Sequence, residues 1–172
     1  MDNLGIIVPF YNEKTTLAES IERLLAQNIF TEIILSDDNS NDGSDEIAKY
    51  YEKTYKNIKY IKSATNKGKG NALNNAKKLI TTKFVAIHDA DLEYFPEDLV
   101  EMFEIVKLNP KSLIIGSRFI GNKQRINIYR STLIANKMMS LFFSIIHFCK
   151  ISDIATCYKM IATDIFKDIE LV

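Results

Sequence analysis

Two carboxylates one residue apart, Asp89-Ala90-Asp91, follow directly on the apolar run Phe84-Val85-Ala86-Ile87-His88. Like charges that close repel, and neither is desolvated cheaply unless a cation lies beside them. Hard oxygen ligands at the end of a buried strand suit Mg²⁺ or Mn²⁺, ions that also take oxygens from a substrate phosphate. The pair therefore reads as a divalent-metal site for a phosphorylated ligand, against the plainer reading of a solvated turn.

Three further segments carry polar chemistry. Val8-Pro9-Phe10-Tyr11-Asn12-Glu13 combines an aromatic ring for stacking with a carboxylate for hydrogen bonding. Asp37-Asp38-Asn39-Ser40-Asn41-Asp42-Gly43-Ser44 holds more acid than a turn requires, although Asn and Asp are ordinary turn residues. A carboxylate there suits the N–H of a nucleobase or a ribose hydroxyl. Lys67-Gly68-Lys69-Gly70 precedes a helical pattern, and glycines with lysines at a helix start favour phosphate approach.

These segments need a frame that brings them together. β-rich runs at Ile6–Val8, Glu32–Ser36, Ile58–Ile61, Phe84–Ile87 and Leu113–Gly116 alternate with helical patterns. The helices are expected at about Thr16–Asn28, Ser44–Tyr55, Asn71–Ile80 and Pro96–Leu108, with Thr16 and Glu19 at capping-box spacing. Strand-helix alternation predicts an α/β fold, a Rossmann-like and mostly parallel sheet with helices on both faces. Ligands of such sheets bind beyond the carboxyl ends of the strands, which is where the polar segments fall.

The pattern changes after Arg118. A helix is expected over Ile126–Lys150, apolar almost all round near its end, through Phe142, Phe143, Ile145, Ile146 and Phe148. Formal net charge is zero over 172 residues, yet no Asp or Glu occurs from Ile105 to Ser152, where Arg118, Arg125, Arg130 and Lys137 are among the basic residues. Such a stretch favours anionic partners or a membrane interface; the alternative is a solvated basic face beside a packed helix. Cys149 and Cys157 make no disulfide framework or metal spacing and suit a reducing compartment. The start of the chain has no basic leader and small-residue cleavage site, so no signal peptide is expected. The longest apolar stretch falls short of the ~20 residues that span a bilayer.

Together the motifs resemble family 2 glycosyltransferases with the GT-A fold, and among them the dolichol- and polyprenyl-phosphate sugar synthases. Asp89-to-Leu99, Gly116-Ser117-Arg118-Phe119 and Asp153-Ile154-Ala155-Thr156-Cys157-Tyr158-Lys159 narrow the likeness, which runs over essentially the whole chain. It implies one catalytic domain over residues 1–172, with a nucleotide-sugar and metal-binding core to about residue 118 and an acceptor- or membrane-facing part from about residue 119. Pro9, Tyr11, Glu13 and Asp38 would hold the nucleoside, with Lys69 and Ala90 also against the donor. Asp89 and Asp91 would bridge diphosphate and Mg²⁺ or Mn²⁺, with Glu93 close to the metal or sugar. Asp91, Asp153 and Arg118 would be catalytic, Asp153 as a base or acceptor-orienting carboxylate. Arg118, Arg125, Arg130 and Lys159 would meet the acceptor phosphate.

The implied partners are a UDP- or GDP-sugar, a polyprenyl phosphate and a membrane surface at the cytoplasmic face, without nucleic acid. A homo-oligomer stays open. Relatives usually continue past the segment after Lys159, often with transmembrane helices, so the resemblance implies either a truncated chain or one that depends on something else to cover the apolar surface from Phe142 to Phe148. Three rival readings remain: transfer to a saccharide acceptor, nucleotidyl transfer, and an inactive nucleotide-sugar-binding module. Nucleotidyl transfer usually calls for a Gly- and Arg-rich loop after the first strand, and Pro9–Glu13 has neither Gly nor Arg.

Overall fold

The computed structural model describes residues 2–120 and 130–171, the side chains of 130–133 excepted. Six strands form one sheet in the order β3-β2-β1-β4-β6-β5. Strands β1 (Leu4–Phe10), β2 (Phe30–Asp37), β3 (Ile58–Lys62) and β4 (Phe84–Ile87) run parallel. Strand β6 (Lys159–Ala162) is inserted antiparallel between β4 and the two-residue edge strand β5 (Ile114–Ile115).

The residues of β1 sort by the two-residue period of a strand. Leu4, Ile6, Val8 and Phe10 pack on one face with Leu17, Ile21 and Leu24 of α1 (Leu17–Leu25), Ala48 and Tyr51 of α2 (Ser44–Thr54), and Leu99, Met102 and Val106 of α4 (Asp98–Leu108). Ile7 looks the other way, into a second cluster with Leu73 and Ala76 of α3 (Lys69–Ala76) and Phe166 of α6 (Thr163–Asp168). Both faces of the central strands are thus covered, which explains their nearly continuous apolar sequences.

The expected frame is present, with several differences, among them that α1 ends at Leu25 rather than about Asn28 and α4 begins at Asp98 rather than Pro96. Helix α3 begins two residues earlier than expected and ends at Ala76 rather than Ile80. The Thr16–Glu19 capping box does not form: the Thr16 hydroxyl donates to Glu13 Oε2 at 2.8 Å, while Glu19 pairs with Arg23. Strand β6 and helix α6 have no counterpart among the expected elements. Helix α5 (Arg130–Ile146) is shorter than Ile126–Lys150, of which residues 126–129 lie outside the described ones.

Candidate functional site

The loops after β1 and β2 are stitched to each other. Asn12 and Asn39 take left-handed φ values of 57° and 69°, which asparagine tolerates better than most residues. The Asn12 N–H donates to Ser40 Oγ at 3.0 Å, and the Asn41 N–H to Asn12 Oδ1 at 2.9 Å. This lattice presents Tyr11 and Glu13 at the carboxyl edge of the sheet, where both line a cleft of about 320 Å³. Pro9, Asp38, Lys69, Asp89, Ala90 and Asp91 line the same cleft, whereas Glu93, expected close to the metal or sugar, and Arg118 line another cavity.

Asp38 is buried and its carboxylate is already engaged. It accepts the backbone N–H groups of Lys67 and Gly68 at 3.0 and 2.5 Å, and the Asn71 amide at 3.2 Å. It therefore also fixes the glycine loop that leads into α3, where Gly68 has a φ of 88°. Ser36 Oγ donates to Ala72 O at 2.7 Å and ties the same helix to β2.

Asp89 and Asp91 sit just past β4. The Lys69 ammonium is 2.5 Å from Asp89 Oδ1. Asp91 Oδ1 accepts the Glu93 N–H at 3.0 Å across Leu92, whose φ of 63° is costly for a branched side chain. Burial raises the Asp91 carboxyl above its usual range, and the nearby Asp89 charge adds to the effect. Burial also raises Glu93, with Asp91 second.

Asp91 and Glu93 are short of compensating positive charge, and the Lys69 ammonium on Asp89 shows that a cation fits beside the pair. The donor set suits a hard divalent ion. Among the described residues, no group of three or more His, Cys, Asp or Glu is close enough to hold a metal alone. The expected Asp89, Asp91 and Glu93 trio is thus not drawn together. Two carboxylates completed by substrate phosphate oxygens fit the arrangement better.

His88, which carries no functional signal in the sequence, braces the strand end. Its Nε2 lies 2.9 Å from Ser20 Oγ on α1 and its Nδ1 3.0 Å from the Tyr158 hydroxyl. The ring is 1% exposed, and burial pushes its pKa down to about 4. Tyr158 packs against Tyr94, whose hydroxyl accepts the Cys157 N–H at 2.9 Å. Burial pushes the Cys157 thiol up, away from thiolate chemistry.

Asp153 does not stand free as a base. It is 1% exposed and takes two bonds from the Arg118 guanidinium, at 2.9 and 3.1 Å, one from the Arg118 backbone N–H at 2.9 Å and one from Asn136 Nδ2 at 2.6 Å. Burial alone would raise its pKa, but Arg118 and Asn136 hold it below the usual carboxylate range. A carboxylate so engaged orients Arg118 and anchors α5; a proton acceptor needs an open lone pair.

Arg118 lies over the Tyr94 ring and, with Glu93, lines a second, mainly apolar cavity of about 420 Å³ between α4 and β5. Lys159 leads β6 and donates to Thr156 O, and burial lowers its pKa. Of the other expected phosphate contacts, Arg125 lies outside the described residues. Arg130 is the first residue of α5, with its side chain outside them.

Helix α5 is inside out. Asn136 and Ser140 are buried, and Asn136, Ser140 and Ser144 bond Asp153, the Ile154 N–H and the Ile151 N–H. Ile134, Met138, Leu141, Phe142 and Ile145 recur along the opposite side, each more than half exposed. Among the described residues no helix is long and apolar enough to cross a membrane.

Residues 5–170 match the family model for glycosyl transferase family 2. The chain is 29% identical over 140 residues to the dolichol-phosphate mannosyltransferase of Pyrococcus furiosus, covering 79% of this chain and 39% of that protein. It is 30% identical over 128 residues to the poly-beta-1,6-N-acetyl-D-glucosamine synthase of Staphylococcus epidermidis, covering 73% and 31%. Glucosyl-3-phosphoglycerate synthase from Mycobacterium tuberculosis, solved with Mn²⁺, UDP and glucosyl-3-phosphoglycerate, superposes with a TM-score of 0.70 at 13% identity, covering 95% of this chain and 57% of that one. The chain spans less than half the length of the curated relatives it matches. It belongs to glycosyl transferase family 2 and has the fold of the GT-A enzymes.

Proposed function

We propose that this family 2 member transfers a sugar from a UDP- or GDP-sugar to a polyprenyl phosphate, working as a peripheral protein at the cytoplasmic membrane face. The observation that carries the lipid acceptor is the inverted amphipathicity of α5. Its polar side is bonded to the protein and its apolar side is turned outward. Exposed apolar side chains in helical register suit insertion among acyl chains, with cationic residues near head groups. The helix is tied through Asn136 and Asp153 to Arg118, which lines the cavity between α4 and β5.

In this reading Tyr11 stacks on the nucleoside, while Pro9 and Glu13 shape its pocket. Asp38 meets the base or ribose and holds the loop under the diphosphate. Asp89 and Asp91 would hold a divalent ion of the Mg²⁺ or Mn²⁺ class, with Glu93 nearby. When bound, that ion supplies Lewis-acid stabilisation of the charge developing on the leaving diphosphate. Lys69 adds positive charge on the same side.

A phosphate oxygen of the acceptor forms the new bond to the anomeric carbon as the bond to the diphosphate oxygen breaks. The electron pair leaves with the nucleoside diphosphate, and the configuration inverts. An anionic acceptor carries no proton that must be removed, which agrees with an Asp153 engaged on all sides. Arg118, held by Asp153, keeps its remaining N–H groups toward the acceptor.

Transfer to a saccharide is the second reading. It is favoured by the engagement of Arg118 and Lys159, which leaves less free positive charge for an acceptor phosphate, and by the polysaccharide synthase among the relatives. A third, an inactive donor-binding module, predicts binding without turnover.

The test combines donor binding, membrane binding and transfer. UDP or GDP should bind more tightly with Mn²⁺ than in chelator. The protein should sediment with anionic liposomes, and the paired change Phe142→Ser and Ile145→Ser should weaken sedimentation without touching nucleotide affinity. Radiolabelled sugar should pass into polyprenyl phosphate. Labelling of a soluble sugar by a protein that ignores liposomes would replace this acceptor with the saccharide.

A further inference from the structure

Lys69 stands at the first position of α3, and its root is fixed from below. The N–H groups of the two preceding residues, Lys67 and Gly68, are held by Asp38. From that anchored root the side chain reaches over the cleft and rests on Asp89, 2.5 Å from Oδ1, with Cys157 Sγ at 3.8 Å. The Lys69 side chain remains about half exposed (47%) and that of Asp89 a quarter (26%), so the pair lies at the wall of the cleft with room to separate. Lysine is suited to changing partners, because its compact charge rides on a flexible four-carbon stem and can trade one anionic oxygen for another.

We propose that Lys69 is a switch cation of the carboxylate pair, resting on Asp89 before the donor binds and passing to the donor diphosphate when nucleotide and divalent ion arrive together. The inference rests on the donor reading given above and adds an order to its events.

An ammonium and a dication on the same carboxylate repel each other, so a metal ion arriving alone must first displace Lys69. Asp91, the other member of the pair, gives that ion a single further carboxylate, and no three-ligand cluster exists among the described residues to hold it. A diphosphate changes both conditions. Its oxygens complete the ion's coordination and offer Lys69 a new anionic partner within reach of its stem. Metal and nucleotide then strengthen each other's binding, and the coupling is equal in both directions because it is a property of the thermodynamic cycle. A site built this way stays closed to free divalent ions and opens to the ion that comes with the donor.

Removing the Lys69 charge should therefore help one ligand and harm the other. The experiment measures Mn²⁺ binding alone, and UDP and GDP binding at saturating Mn²⁺, by calorimetry and Mn²⁺ paramagnetic resonance on the full chain. It compares the unaltered protein with Lys69→Met and Lys69→Arg. Lys69→Met should bind Mn²⁺ alone about tenfold more tightly, the order expected when a half-exposed charged partner is removed from a ligand carboxylate. The same variant should bind nucleotide at saturating Mn²⁺ about tenfold more weakly, having lost its contact with the diphosphate. Lys69→Arg keeps the charge and should leave binding of Mn²⁺ alone as weak as in the unaltered protein.

An unchanged or lowered affinity of Lys69→Met for Mn²⁺ alone would overturn the switch, while leaving the donor reading intact if the unaltered protein binds UDP or GDP with Mn²⁺. If the unaltered protein binds neither nucleotide with Mn²⁺, the donor reading falls and the switch with it.

Discussion

The buried imidazole of His88 makes stability depend on pH in a calculable way. Its ring is closed off between Ser20 and Tyr158, and burial moves its pKa from the usual 6.5 to about 4. The native state thus keeps the ring neutral where the unfolded chain already takes a proton. A histidine with a depressed native pKa contributes stability that is fully present above pH 6.5, lost as pH falls toward 4, and constant below that. At about 1.4 kcal/mol for each factor of ten in proton affinity, the full contribution is about 3 kcal/mol, of which about 2 kcal/mol has gone by about pH 5.

Other groups titrate nearby, Asp91 and Glu93 upward of their usual range and Asp153 below it, so the pH profile of the unaltered protein mixes several contributions. His88→Gln removes the titration and keeps a polar side chain in the slot. The assay is thermal unfolding of both proteins, with chelator present, at about pH 7.5 and about pH 5. The stability gap between them should narrow by about 2 kcal/mol on acidification, or about 4–8 °C in relative Tm for a chain of this size. A gap that stays constant across that range would refute the reasoning, since it would mean that the ring does not differ in proton affinity between native and unfolded states.

Two further substitutions probe the frame of the site. Asp153→Ala leaves the Arg118 guanidinium without its buried partner and releases Asn136, so it should cost about 3–5 kcal/mol in urea unfolding. The same variant should speed amide exchange along α5. Gly5→Ala places a methyl group against Ile80 and Thr82 in a closed part of the sheet and should lower stability by about 1–3 kcal/mol, read as a fall in Tm.

What the sequence discloses is the part of the molecule whose signals are local. Strands β1, β2 and β4 are largely apolar runs in the middle of the sheet, and each ends in the polar residues that build the cleft, so their positions and their edge could be read together. Strand β6 could not, because Lys159–Ala162 pairs with β4 across more than 70 residues of chain and runs against it. His88 reads as the end of an apolar run; its two partners are 68 and 70 residues away. Asp153 shows the same limit from the other side. Its residue type suits a base, and only the convergence of Arg118 and Asn136 shows its charge to be engaged.

Helix α5 shows why composition and orientation are separate facts. Counted along the chain, Ser140 and Ser144 interrupt an apolar stretch and weaken any membrane reading of it. Placed on the helix, they fall with Asn136 on one side and make hydrogen bonds to the protein there. A soluble amphipathic helix normally turns its apolar stripe to the core. Here the core side is satisfied by polar bonds to the segment around Asp153, and Ile134, Met138, Leu141, Phe142 and Ile145 are left outside. The small polar residues therefore do not dilute the apolar surface; they hold it outward. Because Asn136 bonds the same carboxylate that orients Arg118, any surface that receives the apolar side of α5 is mechanically connected to Arg118 and the cavity it lines between α4 and β5.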